Sequence, residues 1–254
     1  MARSKRALDQ IADRKSLKAV WRDMFHGIPK NRRAHMAPEG ISPNHFQEMI
    51  ENKVDSISRQ LKQKTYSFDD LDPVFLPKNS GGYRVINVPS IKDRLTQRAI
   101  LSLLRERGPN LSSKVSFGFQ KGSSVTSAIL RASELRKEYP WVIKTDIQKF
   151  FDCIPRDLLV SEIEKRVRIR SIHWLLIAAA KCEVKKRVGV DDKLEKLGIN
   201  RGAGVRQGMP MSPYFSNLIL KDFDDSIQKN GIKMVRYADD ITVFCRSKKE
   251  ANDI

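Results

Sequence analysis

The chain has 254 residues, with 48 Lys and Arg against 30 Asp and Glu, a formal charge of +18, and 40% apolar residues. It is too apolar for a disordered polyelectrolyte and long enough for a sizeable core in one or two domains. The longest apolar run, residues 174–180, is far short of the roughly 20 residues of a membrane span. The basic N-terminus has no apolar secretory region. The three cysteines have neither metal-ligand nor disulfide-scaffold spacing, which fits a reducing, cytoplasmic compartment.

In chain order, residues 5–25 predict a basic amphipathic helix on Leu8, Ile11, Leu17, Val20 and Met24. Residues 26–43 read as a loop. A helix opens at Pro43 and runs to about Gln63. Residues 72–89 change period and read as a β-hairpin around the turn Lys78-Asn79-Ser80-Gly81-Gly82, ended by Pro89. Helices are expected over 91–107, 124–137, 155–166 and 171–182. The strand Trp141-Val142-Ile143-Lys144-Thr145-Asp146-Ile147 carries a carboxylate near its end. Residues 184–205, with charges and four glycines, read as a loop or small ribbon. A helix over 215–228 precedes a second hairpin, in which Met234-Val235-Arg236-Tyr237 leads into Ala238-Asp239-Asp240 and Ile241-Thr242-Val243-Phe244-Cys245 leads out. Lys248 begins a further helix. Alternating helices and strands argue for an α+β fold in two layers.

The charge is unevenly spread. Residues 1–35 hold ten Lys or Arg against three Asp, and Arg166, Arg168, Arg170, Lys181, Lys185, Lys186 and Arg187 form a second patch. Such a surface grips polyanions, nucleic acid above all, without reading sequence; the plainer alternative is a solubilising surface. Asp239 and Asp240 sit between two apolar strand segments, where a doublet is either a common turn or a costly burial unless solvated or neutralised. Asp146 ends another apolar strand in the same way. Two strand-end carboxylate sites can converge to hold divalent cations, which prefer hard oxygen ligands and clamp phosphoryl displacements in pairs. Asp152, six residues on, reads as a helix cap. His26, His35, His45 and His173 share no zinc spacing, and no phosphate-binding Gly-rich loop is present.

The segments Lys144-Thr145-Asp146-Ile147-Gln148-Lys149-Phe150-Phe151-Asp152, Arg206-Gln207-Gly208-Met209-Pro210-Met211-Ser212-Pro213 and Arg236-Tyr237-Ala238-Asp239-Asp240 resemble, in order, those of reverse transcriptases of the bacterial group II intron and retron type. The upstream stretches at 82–100 and 117–124 are similar too, so the resemblance covers roughly residues 70–250. It implies right-hand polymerase fingers and a partial palm, with an antiparallel palm sheet backed by helices. The implied division is a basic helical extension and start of the fingers over 1–69, fingers over 70–115, palm over 116–152, a fingers insertion over 153–205 and further palm over 206–254.

The implied activity is RNA-templated DNA synthesis, in which a primer 3′-hydroxyl attacks a deoxynucleoside triphosphate and pyrophosphate leaves. Asp146 and Asp239 are the implied principal ligands of two Mg²⁺ ions, with Mn²⁺ as a substitute, and Asp240 is the third catalytic carboxylate. Arg84 and Lys78 are implied at the incoming triphosphate, and a guanidinium fork suits paired phosphate oxygens. Phe151 corresponds to the aromatic under the nucleotide sugar, where a ring leaves no room for a 2′-hydroxyl. Gln207 belongs to the segment near the nucleotide and template base. Arg206 stands where intron and retron sequences have Pro, which resembles the non-LTR retrotransposon branch. Lys121 is a candidate phosphate contact. Arg94 and Arg98, four apart, read as phosphate or template contacts or a solvated face; Asn217 reads as a structural or backbone-bonding residue, with nucleotide contact as the lesser alternative; Tyr237 reads as primer support or strand packing.

The expected partners are an RNA template or structured non-coding RNA, a primer and deoxynucleotides, with no membrane. Family members continue into a helical thumb, and the chain stops fourteen residues after Asp240. It is therefore expected to be a fragment of a longer enzyme or a natural truncation completed by a thumb or partner protein. The alternatives are template-independent DNA polymerisation in phage defence, or an RNA-binding fingers-palm fragment with weak catalysis.

Overall fold

The computed structural model describes residues 6–79, 81–120 and 122–253. The expectation for Lys121 lies outside them. The N-terminal amphipathic pattern forms two helices, α1 (Ala7–Ile11) and α2 (Arg14–Gly27), not one. Periodicity does not register the cap that divides them: Asp13 leaves helical geometry and its Oδ2 accepts the Ser16 N–H at 3.0 Å. The next pattern also divides, at Met49, into α3 (Pro43–Glu48), capped by Ser42, and α4 (Ile50–Gln63).

The first hairpin forms as expected. β1 (Asp72–Pro77) and β2 (Tyr83–Val88) pair antiparallel, and the Lys78 N–H donates to the Gly82 carbonyl across the turn at 3.1 Å. Then follow α5 (Ile91–Arg107), α6 (Val125–Glu138), β3 (Trp141–Asp146), α7 (Phe150–Cys153), α8 (Arg156–Arg166) and α9 (His173–Ala180). A Ser124–Ser127 capping box opens α6. Asp152 lies within α7 and is not its cap, because the chain reverses earlier, at Lys149 with φ 50°.

The stretch read as loop or ribbon contains a helix, α10 (Val190–Lys196). Tertiary packing overrides its weak local signal. Leu194 is buried with Val85, Val184 and Ile199, and Lys193 Nζ lies 4.1 and 4.2 Å from the ring centroids of Phe75 and Tyr83. The helix expected over 215–228 is two: α11 (Ser212–Ile219) and α12 (Lys221–Lys229). The buried Leu220 breaks the axis, and α12 then carries Asp224 to a buried arginine on the next strand. β4 (Lys233–Tyr237), β5 (Asp240–Cys245) and α13 (Lys248–Asp253) complete the described chain.

Two compact units result, Met1–Pro109 with Ile154–Ser212, and Asn110–Cys153 with Pro213–Ile254. The first buries Leu17, Trp21, Leu61, Ile100, Leu159 and Leu175 among its helices and carries the β1–β2 hairpin. The second is built on an antiparallel sheet of order β3-β5-β4. Alternate residues point to opposite faces. Val235, Tyr237 and Phe244 pack on α6, while Met234, Ile241, Val243 and Ile143 pack against Ile227 of α12 and Ala251 of α13.

Candidate active site

The second unit brings three expected carboxylates to one end of its sheet. Asp240 pairs in register with Asp146 on one side and Tyr237 on the other. These three side chains therefore form a row on the α6 face. Asp239 occupies the two-residue turn between β4 and β5, and its carbonyl accepts the Ile147 N–H at 3.3 Å, which ties the turn to the end of β3. Like charges directly opposite on neighbouring strands destabilise a bare sheet. Nevertheless, Asp146 and Asp240 are exposed, Asp239 is half-buried, and among the described residues no basic side chain or hydrogen-bond donor pairs with any of the three carboxyl groups. No group of three His, Cys, Asp or Glu side chains among the described residues is gathered closely enough to hold a metal by itself. The donor chemistry still fits a hard divalent cation, which takes few carboxylates and fills its shell with water and phosphate oxygens.

The turn is held from beneath. Ala238 has φ 59°, a left-handed conformation that costs roughly 1–2 kcal/mol with a side chain. Arg236 is fully buried. Its Nε donates to Asp224 Oδ1 at 2.8 Å, its Nη2 donates to Asp224 Oδ2, and its Nη1 donates to the Ala238 carbonyl at 2.7 Å. Asn217 Nδ2 donates to the Gly118 carbonyl at 3.0 Å, so Asn217 is a backbone-bonding residue. A Cβ on Gly118 would lie 2.4 Å from the Ala238 nitrogen, so only glycine fits there. Sequence reasoning missed Asp224 altogether. The available signal was an arginine inside an apolar strand, which requires a buried partner. Tyr237 is half-buried against α6, with Phe119 as a ring neighbour at 6.4 Å. Phe151, on α7, is half-buried, edge-on to the buried Phe150 at 5.7 Å.

The remaining expected residues belong to the first unit. Lys78 lies in the hairpin turn and Arg84 on β2, both exposed. The Gln207 carbonyl accepts the Asn87 N–H at 2.7 Å, which attaches the Gln207 segment to the same strand as Arg84. Gly208 has φ 108°, and a Cβ there would meet the Asn87 carbonyl at 2.6 Å. Arg94 is largely enclosed, and burial draws its guanidinium pKa down, whereas Arg98 is exposed; the pair does not form one solvated face. Arg206 is buried. Its Nη2 donates to Glu183 Oε2 at 2.6 Å and to the Asn200 carbonyl at 2.8 Å. Arg156 reaches the other oxygen of Glu183 at 2.7 Å, and the Gly202 N–H reaches that oxygen at 2.8 Å. Burial alone would raise the Glu183 carboxyl, but the Gly202 N–H and the two guanidinium groups outweigh it and hold its pKa below the usual glutamate value.

A three-stranded antiparallel sheet with helices on both faces and acidic residues at its strand ends defines the palm class of nucleotide-polymerising folds. The chain belongs to the reverse transcriptase (RNA-dependent DNA polymerase) family, which matches residues 76–254. It is 26% identical over 202 residues to protein YkfC of Escherichia coli, covering 75% of this chain and 49% of that protein. It is 24% identical over 203 residues to the group II intron-encoded protein LtrA of Lactococcus lactis, covering 78% and 32%. The chain spans about a fifth to a half of the length of the curated relatives it matches. Among solved structures, a partial Cas6-RT-Cas1–Cas2 complex is similar with TM-score 0.52 and 23% identity, over 97% of this chain and 39% of that one. The fold is therefore the mixed helix-and-sheet fingers and palm of this family.

Proposed function

We propose that the chain forms the fingers and palm of an RNA-templated DNA polymerase that adds deoxynucleotides to a primer 3′-hydroxyl. The observation that carries this reading is the acidic end of the sheet: in a chain of net charge +18, Asp146, Asp239 and Asp240 lie at one end of the sheet without basic partners among the described residues. Asp146 and Asp239 would be the principal holders of two Mg²⁺ ions, or Mn²⁺ in their place, with Asp240 beside them. When bound, the ions would lower the pKa of the primer hydroxyl and stabilise the departing pyrophosphate.

The chain's own residues would do the rest. Lys78 and Arg84, exposed on the hairpin, would orient the triphosphate, the guanidinium through paired donors. Gln207, fixed to β2 through its carbonyl, would face the nucleotide and template base. Phe151, braced by Phe150, would close the space a 2′-hydroxyl needs. The basic residues of α2, Arg14, Lys15, Lys18 and Arg22, would hold the backbone of a structured RNA, an interaction that weakens steeply with salt. On this reading residues 1–69 are the N-terminal extension and start of the fingers, 70–115 and the insertion 153–205 are fingers, and 116–152 and 206–254 are palm. Among the described residues no helix is long and apolar enough to cross a membrane. Together with three cysteines in no disulfide, this is compatible with a cytoplasmic enzyme.

The test is primer extension on an RNA template by the chain within its full reading frame, with Asp239→Asn as the comparison. Template-directed product that depends on Mg²⁺ and disappears in the variant supports the reading. Product whose sequence ignores the template favours an untemplated polymerase instead. RNA binding without extension leaves a binding module.

A further inference from the structure

Arg236 and Asp224 are 0% and 1% exposed. A buried ion pair is weak evidence of a need for stability, because apolar residues of similar volume commonly do as well. Here the guanidinium does more than neutralise. Two of its nitrogens serve Asp224, and a third donates to the carbonyl of Ala238, the residue whose left-handed backbone begins the carboxylate turn. Asn217 Oδ1 lies 3.4–3.5 Å from two guanidinium nitrogens, while its Nδ2 holds the Gly118 carbonyl. Gly118 in turn abuts the Ala238 nitrogen. Three separate features thus converge on the one residue that precedes Asp239.

We propose that Arg236 is a positioning residue for the carboxylate turn. Anchored by Asp224 and linked through Asn217 to the Gly118 segment, it clamps the Ala238 carbonyl, keeps residue 238 left-handed and sets the direction in which Asp239 and Asp240 leave the sheet. The proposal rests on the reading of those aspartates as cation holders. A planar fork can serve a carboxylate and a carbonyl on different edges at once, whereas a lysine ammonium on a flexible stem cannot reproduce that geometry. Arg236→Lys therefore keeps the charge opposite Asp224 and loses the clamp.

The experiment titrates Mn²⁺ into the chain without nucleic acid, followed by electron paramagnetic resonance, alongside primer extension at varied Mg²⁺. Folding is monitored by cooperative melting. In folded Arg236→Lys, Mn²⁺ affinity is expected to fall about tenfold, the usual scale for groups that orient metal ligands. The kcat should fall in step, the deoxynucleotide KM at saturating metal should hold within about twofold, and added Mg²⁺ should restore part of the rate. A lower melting temperature with wild-type Mn²⁺ affinity in the folded protein overturns the proposal. Should Arg236→Lys not fold, Asn217→Ala leaves the Arg236–Asp224 ion pair and removes the Arg236–Asn217 contacts together with the link to Gly118. A loss of about threefold in Mn²⁺ affinity is expected there, and none overturns the clamp. A wild-type chain that binds no Mn²⁺, or binds it equally after Asp146→Asn with Asp239→Asn, overturns the cation reading itself. Intact wild-type binding with unchanged Arg236→Lys and Asn217→Ala overturns only the clamp.

Discussion

Glu183 and the Asp146–Asp240 row are acidic sites in the same basic chain, with opposite surroundings. Glu183 is enclosed by two arginines and a backbone N–H, which together use both of its oxygens. Asp146 and Asp240 face each other across a strand pair with no such partners among the described residues. The first arrangement lowers the energy of the fold, closing residues 200–206 onto 183 and securing the buried Arg206. The second raises it, since two like charges oppose each other. An acid that stabilises the chain reads as structural; an acid held at a cost reads as reserved for a ligand.

The comparison breaks first at Asp239. Asp239→Asn is expected to reduce primer extension about 10³-fold, measured at saturating nucleotide. The melting temperature should stay within about 2 °C of wild type or rise, as charge is removed from an acidic cluster. A large fall in stability would place this carboxylate with Glu183. Next is Phe151→Ala, which should raise ribonucleotide incorporation relative to deoxynucleotide about tenfold, read from competing single-nucleotide additions. Unchanged discrimination would remove Phe151 from the sugar site.

Glu183→Gln should do the reverse of Asp239→Asn. It leaves Arg206 without its counter-charge and should cost about 2 kcal/mol in urea unfolding, less than for a fully buried pair because the carboxylate is partly solvated. The pH dependence has a definite sign. The native Glu183 carboxyl titrates below its ordinary value of about 4.5, so its contribution is whole above that value and is lost as pH falls through the lowered native pKa. Wild type and Glu183→Gln should therefore converge in stability on acidification. The smallest effect concerns thiols. Burial pushes Cys182 up to about 12 and Cys245 is buried, while Cys153 is exposed, so a disulfide-exchange reagent at neutral pH should titrate one fast thiol in the native chain.

Both hairpins were legible in the sequence, because period-two apolar runs, Gly-rich turns and strand-ending proline are local signals. The three carboxylates were legible for the same reason: an acid at the end of an apolar strand stands out. Helix divisions at Asp13, Met49 and Leu220 were not, since the apolar stripe continues through a cap or a change of axis. α10 was hidden because its helix depends on Leu194 and Lys193 meeting side chains from distant β1 and β2. Arg206 looked like a departure from a proline, and its partner Glu183 lies 23 positions earlier. Likewise Arg236 could be seen to need an acid, but nothing local singled out Asp224, 12 positions away, as that acid. Long-range pairing of charges is decided by the fold.

Gly118 has a consequence for how mutational maps of this chain will look. It bears no functional group, yet a single methyl there would intrude on the first amide of the carboxylate turn, at 2.4 Å. A saturation scan scored by product should find position 118 about as intolerant as the aspartates, with every replacement failing alike whatever its polarity or charge. Asp239, by contrast, should discriminate among replacements by their oxygens. The shape of the tolerance profile, rather than its depth, would then separate residues that perform chemistry from those that merely leave room for it.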